Sequence, residues 1–218
     1  MEMDMNAMKA EMGGAFVVSW LILGSAGLGF GSLEGAVVLA AAWMAFSGAH
    51  ILPVVTWCHM MTGDLGDVEG NWMANGMRLL AQIVGAVLAV LLMTEAGAVD
   101  TTWAANAFEA PDLWGALGMI AAGAIFWTVH TRCDSAWVSG FAAMALFASM
   151  GMTWDGVIPA TDTTEAVDFV LSTTGANEMA AMMLDGFGSV GDVAPTWIVD
   201  GLLVGIGAFV GGQVDDLL

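Results

Sequence analysis

Cations are nearly absent from this sequence. Three Lys and Arg residues stand against 22 Asp and Glu, a formal net charge of −19. That deficit excludes nucleic acid as a partner, because neutralising phosphates needs clustered Lys and Arg. Charge of either sign is scarce too: 11% Asp, Glu, Lys and Arg is too little to clothe a soluble domain of 218 residues. Cysteine occurs twice, at Cys58 and Cys133, in different expected segments. No disulfide framework follows, and both read as packing residues. Tyrosine is missing altogether. The first ten residues hold Glu2, Asp4 and Lys9 in place of a basic stretch and a small-residue cleavage site, so no cleavable signal is expected. The acidic excess has two readings, a solvated exterior suited to salty surroundings or a vestibule that concentrates cations.

What is present is hydrocarbon: 58% of residues are hydrophobic and the mean hydropathy is +0.79. Apolar runs fall at about 12–30, 33–49, 75–94, 113–131, 135–152 and 196–214. Each is near the roughly 20 residues that a helix needs to cross a bilayer. Helix is the expected state, because every backbone polar group must be satisfied within the membrane. The expectation is one multi-pass unit spanning 1–218, with repeats at about 10–94 and 113–214. Lys9, Arg78 and Arg132 fall on one side if both termini are cytoplasmic, which is the orientation the positive-inside rule selects. Glu95, Asp100, Glu109, Asp112 and the acids of 162–192 then lie outside. Trp103, Trp114, Trp137, Trp154 and Trp197 fit an interfacial belt. The polar, glycine-rich stretch 172–195, ending at Pro195, reads as an outer loop.

Two short segments interrupt this pattern. Ser47-Gly48-Ala49-His50-Ile51-Leu52-Pro53-Val54-Val55-Thr56 follows the second run, and Asp155-Gly156-Val157-Ile158-Pro159-Ala160-Thr161 follows the fifth. Both read as a Gly turn, two apolar residues, a proline and a short apolar stretch. Proline suits the first turn of a helix, where its missing N–H is not needed. The resulting helices, at about 53–61 and 159–171, are too short to span. Three runs per set invert the second set, so the two short helices enter from opposite faces, a plan of broken helices meeting at midplane. The plain alternative is a pair of Gly-Pro turns in surface loops.

The first segment resembles the Ser-Gly-Ala-His-x-Asn-Pro-Ala-Val-Thr signature of the major intrinsic protein family, the aquaporins and glycerol facilitators, in Ser47 to His50, Pro53, Val55 and Thr56. Ala10-Glu11 before Gly14 is similar to the family's opening helix, and Ala81-Gln82-Ile83-Val84-Gly85-Ala86 to its third. Pro159-Ala160 occupies the second signature and Gly205 the glycine-rich sixth helix. The resemblance implies an all-α membrane protein with six transmembrane helices plus two reentrant half-helices in an aquaporin-like inverted repeat. It also implies a homotetramer in the cell membrane. By the same carry-over, Leu52, Pro53, Val54, Ile158, Pro159 and Ala160 form the pore midplane. Ser32, Leu146 or Phe147, Asp155 and Thr161 form the selectivity filter. The backbone of Gly48, Ala49, His50, Gly156 and Val157 lines the pore, and Glu11 and Gln82 brace the half-helices. Leu52 and Ile158 stand where the family has asparagines, Thr161 where it has an arginine, and its helix-4 glutamate has no counterpart near Met119 to Gly123.

These substitutions shape the expected conduction. The half-helix dipoles remain, about half a charge each. Free N–H groups at Val54, Val55, Thr56, Ala160 and Thr161 are expected to point into the pore, opposite an acceptor ladder of loop carbonyls. Hydrocarbon at midplane costs a permeant water about 1–3 kcal/mol for each hydrogen bond forgone, and Thr161 leaves a wider outer filter. The expected function is a passive channel for water or small neutral solutes. A cation-permeable channel and a non-conducting scaffold closed by Leu52 and Ile158 are the alternatives. No nucleophile–base pair, phosphate loop or cofactor motif marks an enzyme. Cys58 beside His59 makes a poor metal site, since adjacent residues diverge. His50 is expected to bond loop carbonyls, His59 to face the pore or a neighbouring helix, and His130 to be interfacial.

Overall fold

Capping carboxylates decide where several helices begin. In the computed structural model, which describes residues 4–21, 33–95, 108–154, 176–184 and 186–215, Asp4 Oδ1 accepts the backbone N–H groups of Asn6 and Ala7. This N-cap satisfies donors that have no partner within the helix. α1 therefore runs Met5–Leu21. It starts earlier than the apolar run alone suggests, and Lys9 and Glu11 lie inside it. Asp112 caps α5 (Leu113–Arg132) in the same way, accepting the Gly115 N–H at 2.7 Å. Asp67 caps a π-helical turn, Val68–Met73, through the Gly70 N–H at 2.7 Å, and that turn runs straight into α4, Ala74–Glu95.

The remaining elements are α2 (Leu33–Ala45), α3 (Pro53–Thr62), α6 (Ala136–Trp154), α7 (Asn177–Leu184) and α8 (Val190–Asp215). Among the described residues all regular structure is helical and no strand occurs. α2 stops short of the expected run to residue 49, because Phe46-Ser47-Gly48 form a turn with Gly48 at φ 86°. That left-handed backbone suits glycine. Within the stretch expected to be an outer loop, residues 177–184 are instead the helix α7, and α8 begins at Val190. Pro195 lies inside α8, where it removes one ladder hydrogen bond near the helix start.

Three described helices are long and apolar enough to cross a membrane: Val68–Leu92, Leu113–Arg132 and Val190–Gln213. Leu33–Ala45 and Ala136–Leu146 are apolar but shorter. The outward faces match this. Leu80, Val84, Leu88 and Leu91 line one side of α4, and Ile198, Ile206, Phe209 and Val210 stand exposed on α8. Water solvates such continuous apolar surface poorly, and hydrocarbon solvates it well.

Between helices in hydrocarbon, close van der Waals contact matters more than removal from water, and small residues provide it here. A Cβ at Gly85 of α4 would fall on the Met12 carbonyl and the Phe16 nitrogen of α1. At Gly207 of α8 it would fall on the Ile120 carbonyl and the Ala124 nitrogen of α5. α1 with α4 and α5 with α8 are the most extensive pairings. α2 packs on α6, α3 on α8 and α4, and α7 on α4 and α8. One buried cluster joins α2, α3, α5 and α6 through Leu39, Leu52, Phe126 and Met144. A second, with Trp57, Ile83, Ala180 and Trp197, joins α3, α4, α7 and α8.

Candidate functional site

The turn between α2 and α3 holds one of the two left-handed non-glycine residues described, the other being Phe187. Ile51 has φ 55°, a left-handed conformation rare for a β-branched residue and costing about 1–3 kcal/mol. Glu11 holds it. The carboxylate, with no exposed surface, accepts the His50 N–H on Oε1 and the Ile51 N–H on Oε2, both at 2.8 Å. Two side chains of α4 complete its shell: Arg78 Nη1 donates to Oε1 at 3.1 Å and Gln82 Nε2 to Oε2 at 2.7 Å. Gln82 Nε2 also lies 2.9 Å from Thr56 Oγ1, which shares a 3.1 Å hydrogen bond with His50 Nδ1. On the far side Trp43 Nε1 donates to the His50 carbonyl at 3.0 Å. Gly14 leaves the space that the Ile51 side chain fills. A buried carboxylate with four donors is satisfied, where a bare one in this setting would be prohibitive.

α3 opens on Leu52 in extended conformation with Pro53 in the first turn and no side-chain cap. Leu52, Pro53 and Val54 are all buried, Leu52 to 2% exposure. The expectation of free N–H groups at Val55 and Thr56 is corrected here. Both donate to the Leu52 carbonyl, at 3.1 and 3.3 Å, because an α-helical first turn folds its own donors back onto the cap residue. The Ala49 N–H is also engaged, with the Phe46 carbonyl at 3.0 Å. At the other end of α3, Asn71 Nδ2 donates to the carbonyls of Met60 at 2.8 Å and Asp64 at 3.1 Å, and Asn75 Nδ2 in turn to Asn71 Oδ1 at 2.8 Å.

Beside this turn runs a file of rings. His50 and His59 have ring centroids 4.8 Å apart, His59 and Trp127 6.3 Å, and Trp127 and His130 5.6 Å. His59 is the exposed residue in an otherwise buried stretch from Ile51 to Met60. His130 is not a free interfacial side chain. It stacks on Phe126 with centroids 5.4 Å apart and shares a 3.0 Å hydrogen bond with Ser139 Oγ, because α6 packs directly against the end of α5.

The filter and second-half residues divide. Leu146 packs half-buried against the cluster around Leu52, and Phe147 follows it on α6. Ser32, Asp155, Gly156, Val157, Ile158, Pro159, Ala160 and Thr161 lie outside the described residues. Sequence reasoning singled out Glu11, Gln82 and His50 but gave Arg78 only a topological role, took Thr56 for its backbone N–H and not its hydroxyl, and passed over Trp43, Asn71 and Asn75 as parts of the site. The signal was available in spacing: Asn71, Asn75, Arg78 and Gln82 recur every three or four residues, which puts four polar side chains on one face of an apolar helix.

No protein-family model matches the chain, and a search of curated proteins finds no match.

Proposed function

We propose that the protein is a passive membrane channel for water or small neutral solutes, its path running along the turn between α2 and α3. What carries this reading is the Glu11 clamp on the backbone of His50 and Ile51. Irregular backbone inside an apolar, lipid-facing bundle is tolerated where it is buried in protein or lines a cavity. A carboxylate spent on fixing it in a strained conformation points to a functional geometry. The exposed His59 beside His50 and Trp127 supports a polar mouth at the end of the bundle that holds Arg78. The finer reading follows the resemblance: six spans with two half-helices, both termini cytoplasmic, and four protomers each with its own pore.

Reconstituted liposomes with stopped-flow light scattering test the proposal. Water, glycerol, urea or ammonia flux above that of empty liposomes is expected for at least one solute. Flux at the empty-liposome level for all four sinks it. A second reading, a non-conducting scaffold, is favoured by the burial of Leu52 to 2% exposure. It gains if Leu52→Asn opens flux that the wild type lacks.

A further inference from the structure

We infer that the half-helix opposite α3 is α7, Asn177–Leu184, and that Met179 meets Leu52 across the midplane, in place of Ile158. The inference rests on the channel reading above and gives its constriction a specific chemistry, a branched hydrocarbon facing a thioether.

The first support is the pairing of helices. Exchange α1, α2, α3 and α4 for α5, α6, α7 and α8, and every substantial helix pairing maps onto another; the slight α3–α5 contact alone has no counterpart of the same extent among the described residues. α1–α4 becomes α5–α8, α1–α2 becomes α5–α6, α3–α4 becomes α7–α8, α3–α8 becomes α7–α4, and α2–α6 is unchanged. α7 therefore holds in the second half the place that α3 holds in the first.

The second support is at the level of atoms. Gly85 sits on the carbonyl of Met12 and the nitrogen of the residue four further on, and Gly207 sits in the same way on Ile120 and Ala124. These contacts fix the register of the two halves: Glu11 corresponds to Met119, Gln82 to Val204 and Arg78 to Asp200. All three second-half residues are buried.

The third support comes from the short helices themselves. Gly48-Ala49 precedes Leu52-Pro53-Val54, and Gly175-Ala176 precedes Met179-Ala180-Ala181 at the same spacing. Ala49, Pro53 and Val55 are buried, and so are Ala176, Ala180 and Met182 at one constant interval along the chain. The Pro159 segment shares with α3 a glycine turn, two apolar residues and the proline, but not the Gly-Ala pair at this spacing.

The chemistry follows from the pairing. Neither Leu52 nor Met179 offers a hydrogen-bond donor, and in this register no cationic side chain stands between Asn177 and Leu184. A constriction of this kind favours neutral solutes with some hydrocarbon over water, and rejects ions that must shed their shell.

Cross-linking in the full-length protein tests the register without reference to transport. In a Cys58→Ala/Cys133→Ala background, Leu52→Cys is combined with Met179→Cys in one variant and with Ile158→Cys in another. Both are reconstituted and treated with a short bifunctional thiol reagent, and cleavage at a protease site inserted near Asp112 separates the halves. Most of the Leu52→Cys/Met179→Cys protein is expected to stay joined after cleavage, with the Ile158→Cys pair falling apart. Joining through Ile158→Cys alone, or through neither, overturns the inference. The pair Val54→Cys/Ala181→Cys supplies the same readout should the first variant misfold. Cross-linking in vesicles that pass no solute would leave the register standing and remove the channel reading; flux without the cross-link would do the reverse.

Discussion

The Arg78 guanidinium and the Glu11 carboxylate are joined at 3.1 Å across two helices, yet only one of them sees solvent: the Glu11 side chain has no exposed surface, and that of Arg78 keeps 25%. The pair is thus an anchored acid with a partly solvated counter-ion, and the two ends should respond differently to substitution. Glu11→Gln removes the charge and turns an amide donor toward groups that already donate. It is expected to cost about 3–5 kcal/mol, as breaking buried pairs does. Arg78→Gln leaves the His50, Ile51 and Gln82 donors in place and should cost less. Thermal unfolding in detergent followed by tryptophan fluorescence measures both. An unchanged midpoint for Glu11→Gln would show that the clamp contributes nothing.

Gly85→Ala and Gly207→Ala each drive a methyl group into the backbone of the facing helix. Each is expected to lose about 1–3 kcal/mol or more, the range for overpacked cores. Gly118→Ala is the control. It sits on α5 with open space where its Cβ would go, and should be neutral or stabilising by up to about 1 kcal/mol through helix propensity. Equal midpoints for all three variants would remove close helix contact as the role of these glycines.

Gly48→Ala separates strain from crowding. Nothing lies within 4 Å of a Cβ built at Gly48, but its φ is 86°. A loss of about 1–2 kcal/mol is expected from the left-handed backbone alone. A rise in stability would mean that the turn relaxes without cost.

Asn71→Leu strips the donor from the carbonyls of Met60, in the last turn of α3, and of Asp64, just beyond it. The orphaned Met60 carbonyl, the buried one of the two, costs about 1–3 kcal/mol. Amide hydrogen exchange should quicken over the last turn of α3 while α5 keeps its protection. Uniform quickening through the bundle would argue that Asn71 serves global rather than local stability.

Composition and a few motif residues made much of this fold legible. A polar side chain inside an apolar run is conspicuous because it must find partners, so Glu11, Gln82 and His50 stand out in the sequence itself. The turn before Pro53 does too, because Gly48 and a helix-opening proline leave few alternatives. What stayed hidden depends on distant partners or on weak local signals. The Arg78–Glu11 pair joins residues 67 positions apart, and no local pattern encodes it. α7 has no opening proline, and its glycine-rich, polar surroundings read as loop. Helix starts were misjudged where a carboxylate cap such as Asp4 extends a helix through polar residues, since the apolar run marks the part of the helix in hydrocarbon and leaves the rest unmarked. The Val55 and Thr56 amides read as free from sequence because a helix start shows its orphan donors, while the first-turn bonds to the Leu52 carbonyl depend on the backbone of the turn before it.

The sequence separations within the Glu11 shell also bear on how the chain is made. Its donors follow it by 39 and 40 residues in the turn, and by 67 and 71 residues on α4. At about 5–20 residues per second of translation, the last donor emerges roughly 4–14 s after the acid. For that interval α1 carries a carboxylate whose donors have not yet been made. The shell closes only when α1, the turn and α4 are all present, so the order of synthesis makes them one folding unit, and a nascent chain cut before Gln82 should be the one that quality control removes.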